Sequence, residues 1–166
     1  DVSTRQTGDN MDVGRPPGDR GRARGLPRPT TRMVGREDDL ARLRMLLAAF
    51  PIAVISGMGG VGKSTLALEY ANRWDGPACW VSVSGMPSIA AVTGEAFRQL
   101  GAAHYDLDAS DVERLADLVE MLDRHRALAV LDDLHALPPD QRDLVVVATR
   151  GMQRGRLIAT SRELVP

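Results

Sequence analysis

The sequence predicts an α/β fold, a three-layer sandwich in which helices flank a mainly parallel sheet. Three observations lead there. Short apolar runs at residues 52–56, 78–84, 127–131 and 156–160 read as strands buried on both faces. Longer stretches between them carry apolar residues at helical spacing. A glycine-rich turn joins the first run to the helix after it. Strands separated by helices need crossover connections, which pair them in parallel.

Residues 1–32 read as a solvated linker, rich in Gly, Pro and Arg and without an apolar period. Seven arginines there face four aspartates, and no aromatic is interleaved as a nucleic-acid arm would have. The ordered domain is expected over residues 33–166. Glu37, Asp38 and Asp39 open a first helix, where they complement its positive end. Leu40, Leu43, Leu46 and Leu47 make its apolar stripe, and Phe50-Pro51 stops it. The first strand and the glycine turn follow, then a helix with Leu66, Ala67, Tyr70, Ala71 and Trp74 on one face. After the second strand, residues 88–100 read as a helix weakened by Gly94. Ser110 and Glu113 form a capping box for a helix with Leu115, Leu118, Met121 and Leu122. The third strand ends in Asp132-Asp133. Pro138 and Pro139 start a helix through Leu144, Val147 and Ala148, and the fourth strand ends in Ser161-Arg162.

The bulk composition narrows the function. At 166 residues and 43% hydrophobic, the chain can build one core. Its net charge of −1 gives no overall attraction to nucleic acid. The lone Cys79 reads as buried filler, which suits a cytoplasmic location. No apolar run approaches the roughly 18 residues of a membrane span, and no signal peptide is visible. The chain starts at Asp1 and stops at Pro166, as a piece of a longer protein would.

Chemistry concentrates in Gly57-Met58-Gly59-Gly60-Val61-Gly62-Lys63-Ser64-Thr65, which fits the phosphate-binding P-loop pattern G-x-x-x-x-G-K-[ST]. Glycines let the backbone turn tightly and aim N–H groups at anionic oxygens. Lys63 can reach outer phosphates, and the Ser64 hydroxyl can ligate Mg²⁺. Lys63 is also the single lysine in a chain that otherwise uses arginine. Lysine and arginine are not interchangeable at such a site. Asp132, at the carboxyl end of a buried strand, can hold the same Mg²⁺. Asp133 can polarise an attacking water as general base. Read alone, such a pair also caps turns. Arg162 leaves the fourth strand at the same edge, where a guanidinium can stabilise a transferring phosphoryl group; a plain surface arginine is the alternative.

With these residues in place, the sequence resembles the NB-ARC group of STAND-class nucleotide-switch ATPases. Val34-Gly35-Arg36-Glu37 resembles the group's opening motif, which borders the adenine. Residues 57–67 are similar to its P-loop, although the group more often has threonine at the position of Ser64. Trp80-Val81-Ser82-Val83-Ser84 resembles its second-strand segment, Leu131-Asp132-Asp133 its Walker B, and Thr160-Ser161-Arg162 its sensor arginine. The resemblance covers residues 33 to 162. It implies a P-loop NTPase sandwich, here incomplete at the C-terminus because the group's fifth strand and winged helix are not in this sequence.

The expected function is an ADP- or ATP-Mg²⁺-binding switch module of a multidomain signalling, transcription-regulatory or defence ATPase. The resemblance implies slow hydrolysis in the full-length parent, effector and sensor domains on the same chain, and nucleotide-dependent self-association. The alternative is an ATP-dependent enzyme, such as a phosphotransferase whose acceptor site lies outside this chain. The opening motif favours the first. Backbone groups at Val34 to Arg36 can pair with the N1 acceptor and N6 donor of adenine, a pattern that guanine reverses.

Overall fold

The structure is a computed structural model that describes residues 25–29, 35–102 and 108–163. Helix α1 (Glu37–Ala49) carries three acidic residues in its first turn and ends where Phe50 turns extended before Pro51. It buries Leu40, Leu43 and Leu47. Leu46, expected in that stripe, is 43% exposed. It lies roughly a quarter turn from the centre of the face that the other three leucines fill.

Strand β1 (Ile52–Ser56) leads through the glycine turn to α2 (Lys63–Asn72), which buries Leu66, Ala67 and Ala71. Strand β2 (Ala78–Ser82) is shorter than the run at 78–84 suggests. Ser82 is its last paired residue, opposite Asp132. Val83 then folds into the core and opens a 3-10 turn through Gly85. Helix α3 (Ile89–Leu100) is capped by the Ser88 side chain and closed by a left-handed Gly101. The capping box of α4 (Asp111–His125) is present as expected. The Glu113 N–H donates to Ser110 Oγ at 3.3 Å, and the Ser110 N–H donates to Glu113 Oε2 at 2.8 Å.

Strand β3 (Leu128–Asp132) alternates between two cores. Leu128 and Val130 face α1 and α2, while Ala129 and Leu131 face the opposite layer. Helix α5 (Pro139–Thr149) begins on its proline and buries Val145 and Thr149. Val147, expected on the apolar face, is 60% exposed. It stands about half a turn from Val145 and Thr149.

Strand β4 (Arg156–Ser161) completes a sheet ordered β1-β4-β3-β2, with every neighbouring pair parallel. α1 and α2 cover one face, and α3, α4 and α5 the other. The expected three-layer α/β sandwich is therefore the observed one. Cys79 is fully buried between β2 and the second layer, and burial pushes its thiol up to about 12.

The outer edge of β2 is blunted by a side chain. Gln99 accepts from the Trp80 N–H at 2.8 Å and donates to the Trp80 carbonyl at 2.7 Å, the pairing a neighbouring strand would make. Gln99 is itself held by Glu95, whose carboxyl is lowered to about 2 by hydrogen bonds from Arg98 and Gln99.

A carboxylate also sets the approach to β4. Asp123 of α4 accepts the backbone N–H groups of Gln153, Arg154 and Gly155 at 2.6–3.0 Å. Burial opposes its ionisation, but these three donors outweigh it and hold the carboxyl below the ordinary aspartate range. Asp123→Ala should cost about 1 kcal/mol in urea unfolding, because water can replace part of what is lost. A depressed folded value means that stability is present above the unfolded value and lost as pH falls through the folded one. The gap between wild type and Asp123→Ala should therefore hold above about pH 4 and close under more acidic conditions.

Candidate functional site

A parallel sheet brings all its carboxyl ends to one edge, and the register aligns the functional residues there. Ser56 pairs with Ser161 and Ile55 with Thr160. Leu131 pairs with Ala159, which sets Asp132 beside Thr160. The turn after β1 is tied to that row by the Gly57 N–H, which donates to the Ser161 carbonyl at 3.2 Å.

Within the turn, Gly60 and Gly62 have φ of 81° and 86°. L side chains rarely adopt that left-handed region, which suits glycine at both positions and accounts for the fixed glycine of the pattern at Gly62. Gly62 also stands at the start of α2, where free N–H groups and the helix dipole favour an anion. Lys63 is 7% exposed, and its ammonium donates to the Gly57 and Met58 carbonyls, both at 2.8 Å. The lysine thus closes the turn around its own charge. Met58 at the tip is 82% exposed.

Ser64 and Asp132 meet at this edge. Ser64 Oγ donates to Asp132 Oδ1 at 2.7 Å. Thr160 Oγ1 donates to the same oxygen at 2.6 Å and accepts from the Asp133 N–H at 2.9 Å. A hydroxyl and a carboxylate converging beside an anion-binding turn are the hard oxygen donors that Mg²⁺ takes. Thr160 was not singled out as a site residue by sequence. Its signal was a hydroxyl at the buried end of the apolar run Leu157-Ile158-Ala159.

Asp133 sits in the left-handed region with φ 63° and leads into a 3-10 turn, Leu134–Ala136. Short polar side chains tolerate that conformation better than others. Its Oδ1 lies 3.9 Å from His135 Nδ1, which accepts from the Arg162 backbone N–H at 3.4 Å. The Arg162 guanidinium reaches back over the turn, within 3.9 Å of where a Cβ on Gly59 would stand. Asp132 and Arg162 therefore reach residues 57–64, while Asp133 is held by Thr160 and lies near His135. Thr65 is exposed in the first turn of α2.

On the β1 side, Arg36 crosses the same turn. Its Nη2 donates to the Val61 carbonyl, and its Nε lies 3.9 Å from Asp39 Oδ2. Its two terminal nitrogens come within 3.4–3.5 Å of a Cβ built on Gly62. Gly35, with φ 81°, makes the turn that delivers Arg36 there. Val34 lies outside the described residues. Arg36, Leu43, Val54, Val61 and Lys63 line a cavity of about 360 Å³ on this side.

Residues 36–164 match the model of the family described as NB-ARC domain. The chain is 30% identical over 112 residues to the disease resistance protein SUMM2 of Arabidopsis thaliana, spanning 61% of this chain and 12% of that protein. A probable disease resistance protein of the same plant is 31% identical over 111 residues, 61% of this chain and 15% of that one. Among solved structures, Cdc6p from Pyrobaculum aerophilum superposes with a TM-score of 0.64 at 24% identity, covering 82% of this chain and 41% of that one. The Aeropyrum pernix ORC2 protein gives 0.63 at 18% identity, with 87% and 45% covered. These likenesses show that the α/β P-loop fold is shared.

Thr160→Val removes both hydrogen bonds of the Thr160 hydroxyl and strands the Asp133 N–H. It should cost about 1–3 kcal/mol in urea unfolding. Thr160→Ser should retain most of the stability, because it keeps the hydroxyl.

Proposed function

Because the chain belongs to the NB-ARC domain family, we propose that it is an adenine-nucleotide switch module that takes ADP or ATP with Mg²⁺. The observation that carries this reading is the 2.7 Å contact of Ser64 with Asp132 beside the left-handed glycines of the turn. That arrangement offers a phosphate nest and two metal ligands side by side.

The chain's own groups divide the work. The N–H groups of Gly57 through Lys63 receive the inner phosphates, with Ser64 and Thr65 at the head of α2. Lys63 exchanges the Gly57 and Met58 carbonyls for outer phosphate oxygens. Ser64 and Asp132 would hold Mg²⁺, which neutralises charge as the phosphoryl group leaves. Asp133 would orient and deprotonate the attacking water, and Arg162 would take up charge on the terminal phosphate. Val34, Gly35 and Arg36 would border the adenine on the side of the cavity beside β1. Hydrolysis would be slow and regulatory.

The chain spans 12% and 15% of the length of the two plant relatives. Effector and sensor domains on the same parent, a role in defence or other signalling, self-association on nucleotide exchange and a cytoplasmic location belong to this proposal. Among the described residues, no helix is long and apolar enough to cross a membrane.

Lys63→Ala should keep the wild-type circular dichroism spectrum and lose binding of a fluorescent ADP. A folded variant with unchanged affinity would overturn the assignment. Asp132→Ala should weaken nucleotide binding only when Mg²⁺ is present. Asp133→Asn, which suits the left-handed backbone, should keep binding and lose turnover in the full-length parent. Competition of ADP with GDP should favour ADP by at least roughly tenfold, about 1.4 kcal/mol. Equal affinities would remove Val34 to Arg36 from the base site.

A further inference from the structure

Residues 25–29, Gly-Leu-Pro-Arg-Pro, lie inside the stretch that composition reads as linker. They rest against the domain on the opposite side of the site from Arg36. Leu26 packs on the α1/α2 core, in the same cluster as Trp80 and Tyr70. Gly25 abuts Gln99 so closely that a Cβ there would stand 1.9 Å from Gln99 Oε1. That oxygen already accepts the Trp80 N–H, so a side chain at residue 25 would contest the clamp on β2. Pro27 and Pro29 each fix φ, and each biases the residue before it to extended backbone. The segment therefore has little freedom to lose when it is seated.

Its position bears on the site. Pro27, Arg28 and Pro29 line a cavity of about 320 Å³ together with Ser64, Thr65 and Asp132. These are the residues at which a terminal phosphate and its metal would sit. Arg28 is exposed there, and among the described residues it makes no hydrogen bond or ion pair. Glu69, an acid on the same wall, is paired with Arg73 at 2.9 Å. An unpaired guanidinium at the rim of a phosphate site offers a fork of donors matched to phosphate oxygens.

We infer that residues 25–29 form a strap seated on the metal side of the site, and that Arg28 contacts the third phosphate of a nucleoside triphosphate. The glycine turn and Lys63 would serve the phosphates of ADP and ATP alike. The third would extend toward the cavity that Ser64 and Asp132 share with the strap. Arg28 thus adds affinity for ATP and none for ADP, and links the segment preceding the domain to the nucleotide state. The inference rests on the nucleotide reading above.

The test is calorimetric titration, with Mg²⁺, of ADP and of the β,γ-imido analogue of ATP. Arg28→Ala should weaken the imido analogue by about tenfold and leave ADP within about twofold. Gly25→Val should unseat the strap and show the same selective loss, with unchanged ADP affinity reporting an intact fold. Equal losses for both ligands in Arg28→Ala, or no loss for either, overturn the strap while the nucleotide reading stands. A wild-type chain that binds neither ligand overturns both.

Discussion

One carboxylate oxygen holds the site together. Asp132 Oδ1 accepts from Ser64 of α2 and from Thr160 of β4, and it stands at the end of β3. Three elements distant in sequence are fixed to one atom. Thr160 Oγ1 also accepts from the Asp133 N–H, so the backbone that places the second aspartate is set by the same hydroxyl. Metal entry would take the Ser64 hydroxyl away from Asp132. Ligand binding would therefore act on the joint that positions β3 against α2.

The glycine turn is braced by the cations that would serve a ligand. Lys63 holds the Gly57 and Met58 carbonyls, and Arg36 holds that of Val61. In the proposed complex each would exchange a carbonyl for a phosphate or the base. Measured affinity would then report the difference between two sets of charge-assisted bonds, not the strength of the new set alone.

Much of this was legible in the sequence, and the failures share a cause. Runs such as Leu128 to Leu131, apolar at every position, read as strands because both faces are buried. The Ser110–Glu113 capping box is a purely local device. The turn at 57–64 announces itself through the fixed spacing of Gly57, Gly62, Lys63 and Ser64. Leu46 and Val147 were misplaced because an apolar residue near a helical stripe cannot reveal which arc meets the sheet. Thr160 was missed because a single hydroxyl gains its role only when β4 lies beside Asp132. Residues 25–29 carry no period at all. Their seat depends on the Gln99 side chain and on Trp80, about 55–70 residues further along the chain.

The strand order has a consequence for how the molecule comes together. Among the described strands, β1 is bonded only to β4, the last to be synthesised. Until residues 156–161 exist, the glycine turn and the acidic pair of β3 have no shared ladder to align them. β2 and β3 can pair early with their helices, while β1 and α2 wait for a keystone more than 90 residues downstream. Closing so long a loop is slow compared with local folding. During that interval the facing edges of β1 and β3, the two sides of the gap that β4 will fill, are open to mispairing, a hazard typical of unpaired parallel strands. A nascent chain is thus most exposed to chaperones, and to aggregation, just before the strand that completes its site arrives.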